Sequence, residues 1–275
     1  MAFLRIDKTK CKKDGICVRE CPAAIIRLQE DTGYPGIIPG GNRACNRCGH
    51  CVAVCPHGAL THSAIPVEYC PSIKPELCIN EEQAVQFMRS RRSIRDYQDK
   101  PVEKEKIKRL IEIARHAPTG GNGQLVEWLA LADKTRLNKI ASLAVDSIRR
   151  DIRANPQTLV LQPYLPMVVK AWEAGYDSML RNAPVLVVAS APKKAPNGMV
   201  DLSLALSYLD LVAPTVGLGT CWAGLLQHAL ISSPSLRESL GVPDEHPYHY
   251  PMMLGYPKAK YYRLPGRKPP KITFR

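Results

Sequence analysis

Ile107, Leu110, Ile111 and Ala114 fall at i, i+3, i+4 and i+7, the spacing of one helix face. Asp99 and Pro101 supply a start signal for that helix and Pro118 a stop. A second helix is predicted from about Glu81 to Ser90. The runs Trp128-Leu-Ala-Leu-Ala132 and Pro184-Val-Leu-Val-Val-Ala-Ser-Ala191 read as strands, the latter buried and proline-bounded. Residues 201–213 are apolar almost all round and predict a buried helix. Residues 211–231 carry no formal charge and are long enough to span a membrane. Pro214, Gly217, Gly219 and Gly224 interrupt them and no basic flank follows, so a buried helix running into a turn is expected instead. Residues 61–80 show no helical period and contain three prolines, which reads as an extended linker.

Cysteine changes this picture more than any other residue. Nine of the ten cysteines lie between Cys11 and Cys78, and only Cys221 lies beyond. Arg5, Asp7, Lys8 and Lys10 interrupt any opening apolar stretch, so no signal peptide is expected. Thiols crowded into the first third of such a chain point to metal in a reducing, cytoplasmic compartment rather than to a disulfide scaffold. Charge divides the chain in the same place. Residues 1–82 hold 10 basic and 9 acidic side chains, whereas residues 83–275 hold 28 and 16. Nearly all of the formal +13 therefore belongs to the second part. No dense basic block with interleaved aromatics accompanies it, and bound anionic groups would offset it, so neither nucleic acid nor a membrane is expected as a partner.

The second cysteine group reads Cys45-Asn-Arg-Cys48-Gly-His-Cys51-Val-Ala-Val-Cys55-Pro56, the spacing C-x2-C-x2-C-x3-C-P. The first, Cys11-Lys-Lys-Asp14-Gly15-Ile-Cys17-Val-Arg-Glu-Cys21-Pro22, repeats it with aspartate at the second position. The self-similarity indicates an internal duplication. Four cysteines in so short a run are cramped for a single tetrahedral zinc. Residues 1–65 resemble a two-cluster bacterial ferredoxin, in which such runs hold iron–sulfur clusters. The resemblance implies crossed ligand sets: Cys11, Cys17 and Cys55 with Asp14 as candidate fourth ligand, and Cys45, Cys48, Cys51 with Cys21. A carboxylate is a harder ligand than a thiolate. The Asp14 cluster is therefore expected as either [4Fe-4S] or [3Fe-4S], the other as [4Fe-4S]; alternatively, Asp14 only caps the turn at Gly15. Cys70 and Cys78 fall outside both patterns and read as linker residues or as further metal ligands. Cys221 reads as packing or as a redox thiol.

After a linker at 66–82, the second domain is expected over 83–275. Arg91-Arg92-Ser93-Ile94-Arg95-Asp96-Tyr97 would send Arg91, Ser93 and Arg95 to one side of an extended backbone, a grip for a phosphate. Ala117-Pro-Thr-Gly-Gly-Asn122-Gly-Gln124 forms a polar glycine-rich loop that suits close approach to a flat polar ligand. With Gly217-Leu-Gly-Thr-Cys-Trp-Ala-Gly224, Leu254-Gly-Tyr-Pro257 and Arg263-Leu-Pro-Gly-Arg267, these pieces resemble, in order, the nitroreductase family of FMN enzymes.

That resemblance implies an α+β fold, with a mixed central sheet flanked by helices, and a homodimer with flavin at the interface and helix 201–213 at its centre. It assigns Arg91, Arg92, Ser93 and Arg95 to the FMN phosphate and ribityl chain, with Arg267 and Lys268 on the same phosphate. Pro118, Thr119, Gly120 and Asn122 would reach flavin across the interface, and backbone at Ala223, Gly224 and Leu225 would lie by the flavin N5. The tail 264–274 is expected to wrap the partner. Residues 143–180 match no constant element of the family and are expected to cover the substrate or to pack at the dimer surface. No catalytic residue is assigned: His50, His57, His228 and the pair His246 and His249 show no recognisable pairing. The expected function is transfer of electrons from a low-potential donor (ferredoxin, flavodoxin or NAD(P)H) through the clusters and FMN to a small organic acceptor of nitroaromatic, quinone or enone type. Reductive dehalogenation and electron transfer or redox sensing without an organic substrate are the alternatives.

Overall fold

The computed structural model describes residues 3–154, 157, 160 and 162–275. The remaining residues of the 143–180 stretch (155, 156, 158, 159 and 161) lie outside the described residues. The chain divides into two compact units, Met1–Cys78 with Gly121–Gly123, and Ile79–Gly120 with Gln124–Arg275.

The first unit carries the duplication into three dimensions. Strands β1 (Leu4–Ile6), β2 (Ile26–Leu28), β3 (Pro35–Ile37) and β4 (Leu60–His62) form two antiparallel pairs, β1 with β4 and β2 with β3. Each cysteine run bends into one short helix, α1 (Ile16–Arg19) after Gly15 and α3 (His50–Ala53) after Gly49; α2 (Gly41–Ala44) lies between them. Gly15 and Gly49 occupy the same left-handed conformation, φ 68° and 79°, which a side chain adopts only at a cost. Each glycine thereby turns the following cysteine, Cys17 or Cys51, inward from the first turn of its helix. Cys17, Val52 and Leu60 form a buried cluster in this unit, and Ile25, Ile26 and Ala59 are buried as well. The stretch 61–80 is not bare extended chain: Pro66 and Pro75 begin 3-10 turns at Val67–Tyr69 and Pro75–Leu77.

The second unit is built on a four-stranded sheet. Strands β5 (Glu127–Leu131), β6 (Val185–Ala191), β7 (Gly219–Trp222) and β8 (Tyr248–Gly255) stand in the order β5-β6-β8-β7. All three pairings are antiparallel, so the mixed pairing expected for the sheet is not found among the described strands. The reason is topological. β6 and β7 run parallel, joined by a crossover, but β8 inserts between them and pairs antiparallel with both.

Helices cover both faces of this sheet. On β6, Leu186 and Val188 face a core built with α6 (Lys134–Ala154), α7 (Leu165–Glu173), α9 (Gly224–Ser232) and α10 (Pro234–Leu240). Val185, Val187 and Ala189 face the opposite core with α5 (Lys104–Ala114) and α8 (Gly198–Val212). Burial on both sides explains why the strand reads as a continuous apolar run. Helix α4 (Glu81–Ser90) begins with a reciprocal cap between Asn80 and Gln83. The uncharged stretch 211–231 is not one helix. It contains the end of α8, a 3-10 turn, the whole of β7 and most of α9. Residues Gly198–Val216 are long and apolar enough to cross a membrane by length and composition alone, yet Leu202, Leu206 and Leu209 are fully buried in the protein core.

Candidate cofactor sites

In the first unit the eight candidate ligands separate into two groups. Cys21, Cys45, Cys48 and Cys51 line one cavity; Cys11, Asp14, Cys17 and Cys55 line another. Each group draws three members from one run and one from the other. All ten cysteines are unbridged. Burial pushes the Cys51 thiol up to about 11, and Cys48, Cys21 and Cys45 add to the push. Burial also raises Cys17, followed by the charges of Cys55, Asp14 and Cys11. Such groups oppose their own ionisation, so holding them as thiolates requires a compensating cation. Four soft donors around a cavity suit an iron–sulfur cluster. Asp14 is exposed, and its Oδ1 accepts from the Ile16 N–H at 3.1 Å. It therefore caps the turn while also lining the cavity with Cys11, Cys17 and Cys55.

In the second unit the arginine segment is fixed from beneath. Ile94 N–H donates to the Thr220 carbonyl at 2.8 Å, and Tyr97 bridges to Pro257. Gly219 and Gly255 sit opposite each other in the β7–β8 register under this segment. A Cβ on Gly219 would stand 2.4 Å from Ile94, and one on Gly255 2.7 Å from Tyr97, so both positions must be glycine for the segment to lie down. Arg91 Nη1 lies 3.5 Å from Asp210 Oδ2 and donates to Ser93 Oγ at 3.4 Å. Arg95 donates to the Ser93 carbonyl at 3.3 Å. Among the described residues the buried Nε of Arg92 has no partner, as expected of a donor held for a ligand.

Asp210 is a buried carboxylate beside the arginine segment that sequence reasoning gave no role. It is 5% exposed and accepts from Thr220 Oγ1 and, at 3.2 Å, from Trp222 Nε1, besides pairing with Arg91. The available signal was a carboxylate inside a largely apolar helix. Asp201, on the same helix, accepts from Gly120 N–H at 2.9 Å and so anchors the glycine-rich loop.

A cavity of about 570 Å3 opens beside β7 and α9. Arg95, Ala223, Gly224 and Leu225 line it, as do Tyr164, Met167 and Tyr176 from the 143–180 stretch. Arg91, Arg92 and Ser93 adjoin Arg95 in the chain. Pro118, Thr119 and Gly120 lie outside the lining, and Asn122 groups with the first unit. Arg267 and Lys268 are exposed in a terminal segment without regular structure. Cys221 is 3% exposed and burial raises its thiol, which suits packing rather than thiolate chemistry. Three of the histidines have unforeseen partners, His228 with Gln162 at 3.4 Å, His246 with Ser190 at 2.9 Å and His249 with Gln227 at 3.3 Å.

The nitroreductase family model matches residues 88–256, the greater part of the chain. The chain belongs to the nitroreductase family. Residues 3–57 of this nitroreductase match the model of the 4Fe-4S dicluster domain. An FMN reductase [NAD(P)H] of Bacillus subtilis is 29% identical over 189 residues, covering 66% of this chain and 70% of the relative. A protein of Archaeoglobus fulgidus, provisionally named NADH dehydrogenase/NAD(P)H nitroreductase, is 28% identical over 182 residues, covering 64% and 87%. The crystal structure of a nitroreductase with bound FMN from Bacteroides fragilis superposes with a TM-score of 0.57 at 22% identity, covering 71% of this chain and 99% of that one. The α+β fold and the oxidoreductase class follow from these matches.

Proposed function

We propose that this nitroreductase is an FMN-dependent enzyme that takes up electrons one at a time at its dicluster domain and reduces a small conjugated organic acceptor. The observation carrying the reading is the pairing, within one chain, of two crossed four-donor cavities with a 570 Å3 cavity whose wall combines Arg95 with the backbone opening of α9. FMN, when bound, supplies the two-electron chemistry that joins one-electron input to reduction of an organic bond.

The residues of the chain do the rest. Arg91, Arg92, Ser93 and Arg95 hold the phosphate end, with Asp210 fixing the direction of Arg91. The N–H groups at Gly224 and Leu225 face developing negative charge at the reactive edge beside Ala223, whose own N–H is held by the Pro251 carbonyl at 3.0 Å, and Arg95 adds a positive charge. Tyr164, Met167, Tyr176 and Trp222 give the acceptor apolar, aromatic walls, which favour a flat conjugated molecule such as a nitroaromatic, quinone or enone. Cys21, Cys45, Cys48 and Cys51 hold one cluster; Cys11, Cys17, Cys55 and Asp14 hold the other. A second copy of the chain completes the flavin site through Pro118, Thr119, Gly120 and Asn122, with Arg267 and Lys268 on the phosphate.

Anaerobic purification with iron, sulfide and flavin measured on the same sample tests the reading. Stoichiometric flavin with iron and acid-labile sulfide, bleached by a low-potential donor and reoxidised by a quinone or nitroaromatic, is expected. Zinc in place of iron, or flavin that no acceptor in such a panel reoxidises, refutes it.

A further inference from the structure

His62 lies outside both cysteine runs, at the end of β4, opposite Leu4 in the sheet register. It is 3% exposed. Its ring meets Phe3 edge-on, 4.5 Å between centroids, and it lines the same cavity as Cys21, Cys45, Cys48 and Cys51. Its Nδ1 accepts the Ala64 N–H at 2.9 Å, and its Nε2 lies 3.7 Å from Cys45 Sγ. A neutral imidazole has one donor and one acceptor nitrogen. Because Nδ1 is committed as acceptor, the proton sits on Nε2 and points at the sulfur.

The Arg47 N–H also donates to Cys45 Sγ, at 3.4 Å. In the other cavity Cys55 Sγ accepts the Ala59 N–H at 3.3 Å. Among the described residues, Cys45 alone of the eight candidate ligands receives a side-chain donor at its sulfur. A hydrogen bond to a ligand sulfur withdraws charge from it and favours the state with the extra electron, which raises the reduction potential.

We infer that His62 is a positioning residue for redox: its Nε2–H hydrogen bond to Cys45 raises the potential of the cluster held by Cys21, Cys45, Cys48 and Cys51, and of that cluster only. The inference rests on the dicluster reading above. One electron from the external donor enters the cluster, and His62 neither gains nor loses a proton in the step.

The test is an EPR-monitored redox titration of the anaerobically purified full chain as wild type, His62→Phe and His62→Gln. Phenylalanine keeps the ring and its contact with Phe3 but removes the donor; glutamine restores an N–H. His62→Phe is expected to lower the reduced-to-oxidised ratio of one cluster about tenfold at fixed potential, a downward shift of about 59 mV for a one-electron couple. The other cluster stays unshifted, and His62→Gln recovers part of the loss. Pulsed EPR on wild type containing isotopically labelled histidine gives a second readout, a ring-nitrogen coupling on the reduced cluster that His62→Gln abolishes. His62→Phe with full iron and sulfide and unshifted potentials overturns the role of His62 alone, as does the absence of that coupling in wild type. Wild type that carries no iron or sulfide overturns the dicluster reading itself, and the inference with it.

Discussion

Asp210→Asn separates the charge of this buried carboxylate from its shape. The native side chain accepts from Thr220 Oγ1 and Trp222 Nε1 and forms an ion pair with Arg91 at 3.5 Å. An asparagine carbonyl serves part of this set, while its amide NH2 turns donor against donor. Hydrogen bonds to a buried charge are worth about 1.5–3 kcal/mol each, and one is lost outright. Arg91, at 26% side-chain exposure, recovers some of its loss from water. A net destabilisation of about 2–3 kcal/mol follows. For a chain of this size that lowers the melting temperature by about 4–12 °C. Because Asp210 also aims Arg91, the loss should extend to flavin: a fluorescence titration of the apoprotein with FMN should show binding weakened about tenfold, or about 1.4 kcal/mol. Both assays use the same purified variant. A variant that melts with wild type and binds FMN as tightly refutes the view that Asp210 organises the phosphate grip. A variant that melts early yet binds FMN normally confines Asp210 to the core.

Three further outcomes are expected. Gly219→Ala drives a methyl to 2.4 Å from Ile94 and should cost about 1–3 kcal/mol in chemical denaturation, whereas Gly266→Ala, with nothing near its Cβ position, should be neutral. Asp14→Cys should raise iron content toward that of two complete cubanes and alter the EPR signal of one cluster; an unchanged spectrum means that the carboxylate only caps Ile16. His249 is buried and its pKa lies below the ordinary 6.5, from burial first and the charge of Arg237 second. The unfolded chain then binds the proton more readily, so the stability that neutral His249 contributes is present above about pH 6.5 and is lost as pH falls. His249→Gln should flatten that acid limb of the denaturation profile, and an unchanged limb would show that another group governs it.

The metal-binding region was legible because its chemistry is local. The cysteine spacing carries the ferredoxin resemblance, that resemblance implies the two donor sets, and the two cavities gather those residues. His62 was not legible, because it meets Cys45 only in the folded unit, 17 residues away in the chain, and a lone histidine between Thr61 and Ser63 carries no signal of its own. Asp210 was hidden similarly: its three partners come from the arginine segment and from β7, neither next to it in sequence. The stretch 211–231 shows a different limit. An apolar run of that length does not reveal whether it is helix or strand, and only pairing with β8 makes residues 219–222 a strand. The antiparallel pairing throughout has the same origin, since the sequence does not say which strand lies between β6 and β7.

The central place of β8 bears on how the molecule is made. A ribosome releases β6 and β7 well before β8, so for an interval the nascent chain holds two strands whose facing edges have no mate. Residues 248–255 close that gap like the last stave of a hull. A message cut short before them would leave an open sheet prone to sticking to its neighbours, whereas one ending just beyond Pro257 would already have every described strand in its place.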